Sequence, residues 1–90
     1  MNDLVKVAAV SHLGDYRLMI AFSDGQRGIR DFADVIEAGG EMIDPIRDPR
    51  LFGRVFVEMG VLAWPHGLDL DAIALHDEMQ TAGLLQREAA

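Results

Sequence analysis

Tyr16-Arg17-Leu18-Met19-Ile20-Ala21-Phe22, followed by Ser23-Asp24-Gly25-Gln26, is the stretch on which the fold turns. Tyr16, Leu18, Ile20 and Phe22 alternate with Arg17, Met19 and Ala21, and a period of two puts the large apolar side chains on one face of a strand. Asp24-Gly25 then tolerates the positive φ angles of a type I′ turn, so the chain folds straight back on itself. Gln26 to Arg30 becomes the returning strand. On the other side, Leu4 to Val10 is rich enough in β-branched residues for a strand. The turn residues His12-Leu13-Gly14-Asp15 join it to the central one, with His12 expected in solvent. A three-stranded antiparallel meander is the prediction.

Working outward, Asp31 is placed to cap a short helix over Phe32 to Ala38, which Gly39-Gly40 ends. Asp48-Pro49 opens one helical turn through Phe52, because the carboxylate accepts a free N–H and proline suits the first helical position. Val55-Phe56-Val57 and Val61-Leu62-Ala63-Trp64 flank Glu58-Met59-Gly60 as a second hairpin, broken by Pro65 and Gly67. Leu75, Met79 and Ala82 recur at spacings of four and three after Asp71, the pattern of a helix that Gly83 can terminate. The predicted class is α+β: a three-stranded antiparallel meander, a short helix, a second β-hairpin and a C-terminal helix. One domain is expected over residues 1–83, with 84–90 as a C-terminal extension.

Composition bounds the function. The chain has 90 residues, 15 acidic and 8 basic, for a net charge of −7, and half of its residues are apolar. That is a folded acidic domain rather than a disordered chain. The acidic balance argues against direct nucleic-acid binding, which runs on phosphate neutralisation by lysine and arginine. The longest apolar run, Leu18 to Phe22, is far below the roughly 18 residues of a membrane helix, and Asp3 stands where a signal peptide is basic. A cytoplasmic protein is expected, with no membrane association. The chain has no cysteine, hence no disulfide framework, thiol nucleophile or cysteine metal site.

The order of the signals carries a resemblance. A Phe-x-Asp-Gly hairpin (Phe22 to Gly25) precedes an Asp-aromatic helix start (Asp31-Phe32). An Ile-x-Asp-x-x-x-Phe turn follows (Ile46, Asp48, Phe52), then Trp-Pro-x-Gly-x-Asp (Trp64 to Asp69). Over Val5 to His76 this resembles the small bacterial family called domain of unknown function twenty-four forty-two. The resemblance implies a single small α+β domain with no established activity. It also implies a possible role as the antitoxin-like partner of a small toxin, drawn from gene neighbourhoods. Some members are fused to a helix-turn-helix; none is present in these residues, so direct promoter binding is not implied. The chain departs from the pattern at Ala72, where proline usually opens the last helix, at His76, where tyrosine is usual, and in the added Thr81 to Ala90.

Each constellation with chemical potential has a structural explanation beside it. Trp64-Pro65-His66-Gly67-Leu68-Asp69-Leu70-Asp71 is the densest motif. Trp64 can end a strand in the core, Pro65 redirect the chain, Gly67 supply a special backbone angle and Asp71 cap the last helix. Alternatively, Trp64 and His66 line a groove for a partner or small ligand. His66, Asp69, His76 and Asp77 lack the helical His pair or His-x-His spacing of a metal site, so no metal and no cofactor are expected. Ser11, Ser23, Thr81 and Tyr16 stand outside any nucleophile elbow, and Gly39-Gly40 belongs to no phosphate loop; the chain is not expected to be an enzyme. Arg47, Arg50 and Arg54 can pair with Asp44, Asp48 or Glu41, or form an anion-contacting patch.

No lysine or arginine interrupts the chain from Val55 to Gln86, where Glu58, Asp69, Asp71, Asp77 and Glu78 make an acidic surface suited to a basic partner. Leu84-Leu85 adds two large apolar side chains after Gly83. Burying both is worth about 3–6 kcal/mol before ordering costs, either in an association with another chain or folded back on their own sheet. The expected function is therefore a protein-interaction module, with His66, Asp69, Asp77, Glu78, Leu84 and Leu85 as candidate partner-binding residues and a homo-oligomer possible. Asp24, Gly25, Trp64, Pro65, Gly67 and Asp71 are expected to be structural. The alternative is a small-ligand-binding or catalytic domain built on the Trp64 and His66 region.

Overall fold

Leu18, Ile20 and Phe22 are enclosed along one face of the central strand, while Arg17 on the other face is exposed. The computed structural model describes residues 4–87. Strands β1 (Val7–Gly14), β2 (Arg17–Phe22) and β3 (Gln26–Asp31) form the antiparallel meander, with Val10 opposite Ile20 and Met19 opposite Ile29. Gly25 takes a φ of 86° in the β2–β3 turn.

β1 lies further along the chain than Leu4 to Val10, and His12 belongs to it rather than to a turn. Register shifts between Val7 and Ala9 and between His12 and Gly14 break the alternation that would have marked the strand. The turn is compressed onto Asp15-Tyr16, with Asp15 at a φ of 48°. His12 is exposed, as expected, but its ring centroid lies 5.8 Å from that of Phe52, and its Nε2 donates to the Asp15 carbonyl at 2.8 Å.

Helix α1 (Ala33–Ala38) starts where the Asp31 carboxylate accepts from the Ala33 N–H at 2.9 Å. A single 3-10 turn (Asp44–Ile46) leads to α2 (Pro49–Phe52), whose Asp48 cap accepts from the Arg50 N–H at 2.9 Å. β4 (Phe56–Glu58) and β5 (Val61–Ala63) form the second hairpin, with positive φ at both Met59 and Gly60 as a type I′ turn requires. A strand absent from the sequence reading, β6 (Asp69–Leu70), pairs with β5 across the Trp64–Leu68 loop. The small sheet joins the large one where the Val7 N–H donates to the Gly60 carbonyl at 2.8 Å.

Helix α3 (Ala72–Thr81) is capped by Asp71, which accepts from the Ala74 N–H at 3.2 Å. It ends in a Schellman motif: the Leu84 N–H reaches the Met79 carbonyl, the Gly83 N–H reaches the Gln80 carbonyl, and Gly83 takes a φ of 74°. Its buried face, Ala72, Leu75, His76 and Met79, closes the core. The tail then folds back as β7 (Gln86–Arg87), antiparallel to β3, giving the sheet order β1-β2-β3-β7. Gly28 permits this approach, because a Cβ there would stand 2.2 Å from the Leu84 carbonyl oxygen. The extension expected over 84–90 thus contributes an edge strand; its residues 88–90, Glu88 included, lie outside the described residues, as does Asp3. Among the described residues no helix is long and apolar enough to cross a membrane.

Candidate functional site

Two regions gather the chemistry-bearing side chains, and the Trp64 loop is the first. Trp64 is 2% exposed and follows β5 directly into the core. Its Nε1–H donates to the Phe52 carbonyl at 2.8 Å, and its ring lies 5.7 Å from that of Phe52. Phe52 in turn meets Tyr16 and Phe32, so one aromatic cluster ties α2 to the β1–β2 turn, α1 and the small sheet. The loop closes on itself: the Trp64 N–H donates to Leu68, and the Gly67 N–H donates back to Trp64. Gly67 has a φ of 106° with open space around it, so backbone angle alone calls for glycine. Pro65 is exposed at the bend. His66 points outward, where its Nε2 donates to the Met42 carbonyl at 2.8 Å. Trp64 and His66 therefore do not share a groove.

The other histidine of this part of the chain is buried. His76, 1% exposed, contacts the Phe22 ring edge-on at 4.9 Å and places Nε2 2.8 Å from Asp24 Oδ2. Asp24 also accepts from the Gln26 backbone N–H and side-chain amide. Partial burial pushes the Asp24 carboxyl up, but the Gln26 donors and His76 outweigh it and hold the group below its ordinary value. Asp24 is thus a structural anchor linking the β2–β3 turn to α3. The four side chains weighed as metal ligands are dispersed: His66 bonds Met42, His76 bonds Asp24, and Asp69 and Asp77 are exposed. Among the described residues no group of three or more His, Cys, Asp or Glu is positioned to hold a metal ion.

The second region centres on Arg30, which the sequence reading did not single out. Its side chain is 11% exposed on the inner face of β3. Nε donates to Glu78 on α3 at 2.6 Å, Nη1 to Asp34 on α1 at 2.8 Å and to the Asp31 carbonyl at 2.7 Å, and the guanidinium covers the Phe32 ring at 4.4 Å. Burial opposes its charge, but the two carboxylates more than compensate and raise its pKa; the Arg30 donor in turn lowers that of Asp34. One cation thereby binds three elements. Glu78, expected to face a partner, is committed to this knot while remaining half exposed.

Beside the knot runs an open groove of about 680 Å³, walled by Ile29, Arg30 and Asp31 of β3, by Ala33 and Asp34 of α1, and by Glu78, Ala82 and Leu84. Ile29 and Leu84 are 45% and 38% exposed, and Leu85 packs in part against the core. Of the arginines grouped between residues 47 and 54, Arg47 bonds Asp44 and Arg50 bonds Asp48 as expected, whereas Arg54 lines a small cleft with Leu51 and His66.

Comparison with known families places this architecture. A family model described as protein of unknown function, DUF2442, matches residues 7–80. The chain belongs to the DUF2442 family. The match spans the meander, the Trp64 loop and all but the last residue of α3, and it stops before Leu84 and β7. Among solved structures, the DUF2442 chain is similar to a Nitrosomonas europaea protein described in the words "Putative DNA Binding Protein", with a TM-score of 0.61 and 25% identity. The likeness covers 89% of this chain and 52% of that one, so the chain spans about half the length of that neighbour. No curated protein matches the chain.

Proposed function

We propose that this DUF2442 chain is a cytoplasmic protein-interaction module, the antitoxin-like partner of a small basic toxin. The observation that carries the reading is the Arg30 groove, an uncovered apolar channel rimmed by Asp31, Asp34 and Glu78 on an acidic domain. Three carboxylates against one largely enclosed guanidinium leave an excess of negative charge there, which attracts a basic partner and repels nucleic acid. The antitoxin aspect rests on the family resemblance alone.

The alternative of a small-ligand or catalytic domain needs Trp64 and His66 to converge, and enclosure of the indole weighs against it. Of the candidate hydroxyls, Tyr16 donates to the Arg47 carbonyl and Ser23 accepts from the Lys6 N–H, contacts that tie the chain together. The DNA-binding words attached to the structural neighbour describe a protein about twice as long. In this reading those words are not carried over to this chain, which matches 52% of that protein.

Tagged chain purified from the native cell tests the proposal, with retained proteins identified by mass spectrometry. A small basic protein whose expression alone arrests growth, and whose arrest this chain relieves, is the expected result. Retention of no such protein above a control with an unrelated acidic domain overturns it.

A further inference from the structure

Resting on the interaction-module reading, we propose that the uncovered edge of β3 takes up an extended segment of the partner in which apolar and basic side chains alternate. β7 pairs with Gln26 and Arg27 alone, so among the described residues no strand lies beside Ile29–Asp31 on that side. The Phe32 N–H donates to the Tyr16 carbonyl, which sets the alternation of the β2–β3 ladder. By that alternation Gln26, Gly28 and Arg30 bond toward β2, and both backbone groups of Ile29 and the N–H of Asp31 face the open side, the Asp31 carbonyl there being held already by Arg30 Nη1. This is the geometry on which strand addition works: main-chain pairing supplies affinity and alternate side-chain pockets supply selectivity.

The side chains around the edge define the occupant. Ile29 and Leu84 offer an apolar seat, with Asp31, Asp34 and Glu78 lining the positions on one side of it and Arg27 on the other, so a basic side chain is favoured at the Arg30 end alone. An incoming lysine or arginine finds carboxylates already fixed in direction by Arg30. A second copy of this chain fits poorly: edge-to-edge pairing of two β3 strands would bring two sets of these acids together, and like charges facing one another are repelled.

The test uses the full chain, isotopically labelled, and a short capped peptide alternating valine with lysine and arginine. A peptide with glutamate at the charged positions is the control. The backbone amides of Ile29 and Asp31 are expected to shift and gain exchange protection with the basic peptide only, and the effect is expected to weaken with salt. Ile29→Lys and Leu84→Lys, both at exposed positions, should each weaken binding about tenfold, through one lost apolar contact and one added like charge. Shifts that map to another surface, equal binding of the acidic peptide, or no loss in either variant overturn the proposal. A dimer of the free chain that Ile29→Lys dissociates does so as well, since the edge then belongs to a second copy. If the cellular partner is retained undiminished by both variants, the edge assignment fails while the interaction-module reading stands.

Discussion

Replacing Trp64 tests whether the densest motif in the chain is architecture or a binding site. Trp64→Ala removes an indole that is 2% exposed and in ring contact with Phe52, and truncation of a buried large aromatic costs about 3–5 kcal/mol. Trp64→Phe isolates the polar contribution. It keeps most of the ring but removes the donor at 2.8 Å from the Phe52 carbonyl. That carbonyl keeps a weaker bond from the Val55 N–H at 3.3 Å, so its loss of one partner should cost about 1 kcal/mol, the lower end for a buried group, plus a similar amount for the smaller ring. A domain this small has a margin near the low end of about 5–15 kcal/mol. Trp64→Phe should therefore fold with a reduced urea midpoint, and Trp64→Ala should sit close to unfolding. Far-ultraviolet circular dichroism follows both, because the only tryptophan is lost in each variant. A Trp64→Ala protein with an unchanged midpoint would refute the reasoning and return Trp64 to the list of binding candidates.

Three further outcomes are expected. Gly28→Ala should detach the tail, because the new Cβ would meet the Leu84 carbonyl oxygen at 2.2 Å; loss of exchange protection at Gln86 and Arg87 with the meander intact is the readout. Asp71→Ala should cost about 1 kcal/mol through loss of the cap on α3, whereas Asp69→Ala should cost less, and the reverse order in chemical denaturation would move the helix start to Asp69. The folded Asp24 carboxyl lies below its ordinary value of 3.8, so the unfolded chain binds its proton first as pH falls. Its stabilisation is complete above the unfolded value and is lost as pH drops through it toward the folded one. Asp24→Asn should accordingly flatten the acid limb of the stability profile; an unchanged limb would show that Asp24 contributes nothing there.

Local signals were legible in the sequence and distant pairings were not. The alternation from Leu18 to Phe22, the Asp24-Gly25 turn, the Asp48 and Asp71 caps and the Gly83 terminus each encode their geometry within a few residues. The bounds of β1 are not legible because two register shifts scramble its alternation, and β6 and β7 are not because two-residue strands exist only through their partners. The same holds for the sites. Burial of Trp64 follows from a strand end before proline, but the His76–Asp24 bond spans 52 residues and the Arg30–Glu78 bond spans 48, and no local pattern encodes either. Gly28 and Arg30, two residues apart on the inner face of a strand, were the available hint. A glycine followed by a cation where apolar side chains are expected marks a place where another element comes close.

Purification of the intact chain from its native cell, beside the Ile29→Lys and Leu84→Lys variants, tests the central claim most directly. The account predicts that a small basic protein is retained by the intact chain, is released at raised salt, and is lost or strongly reduced with either variant while each variant keeps the melting temperature of the parent. A chain that retains no basic protein at low salt contradicts it.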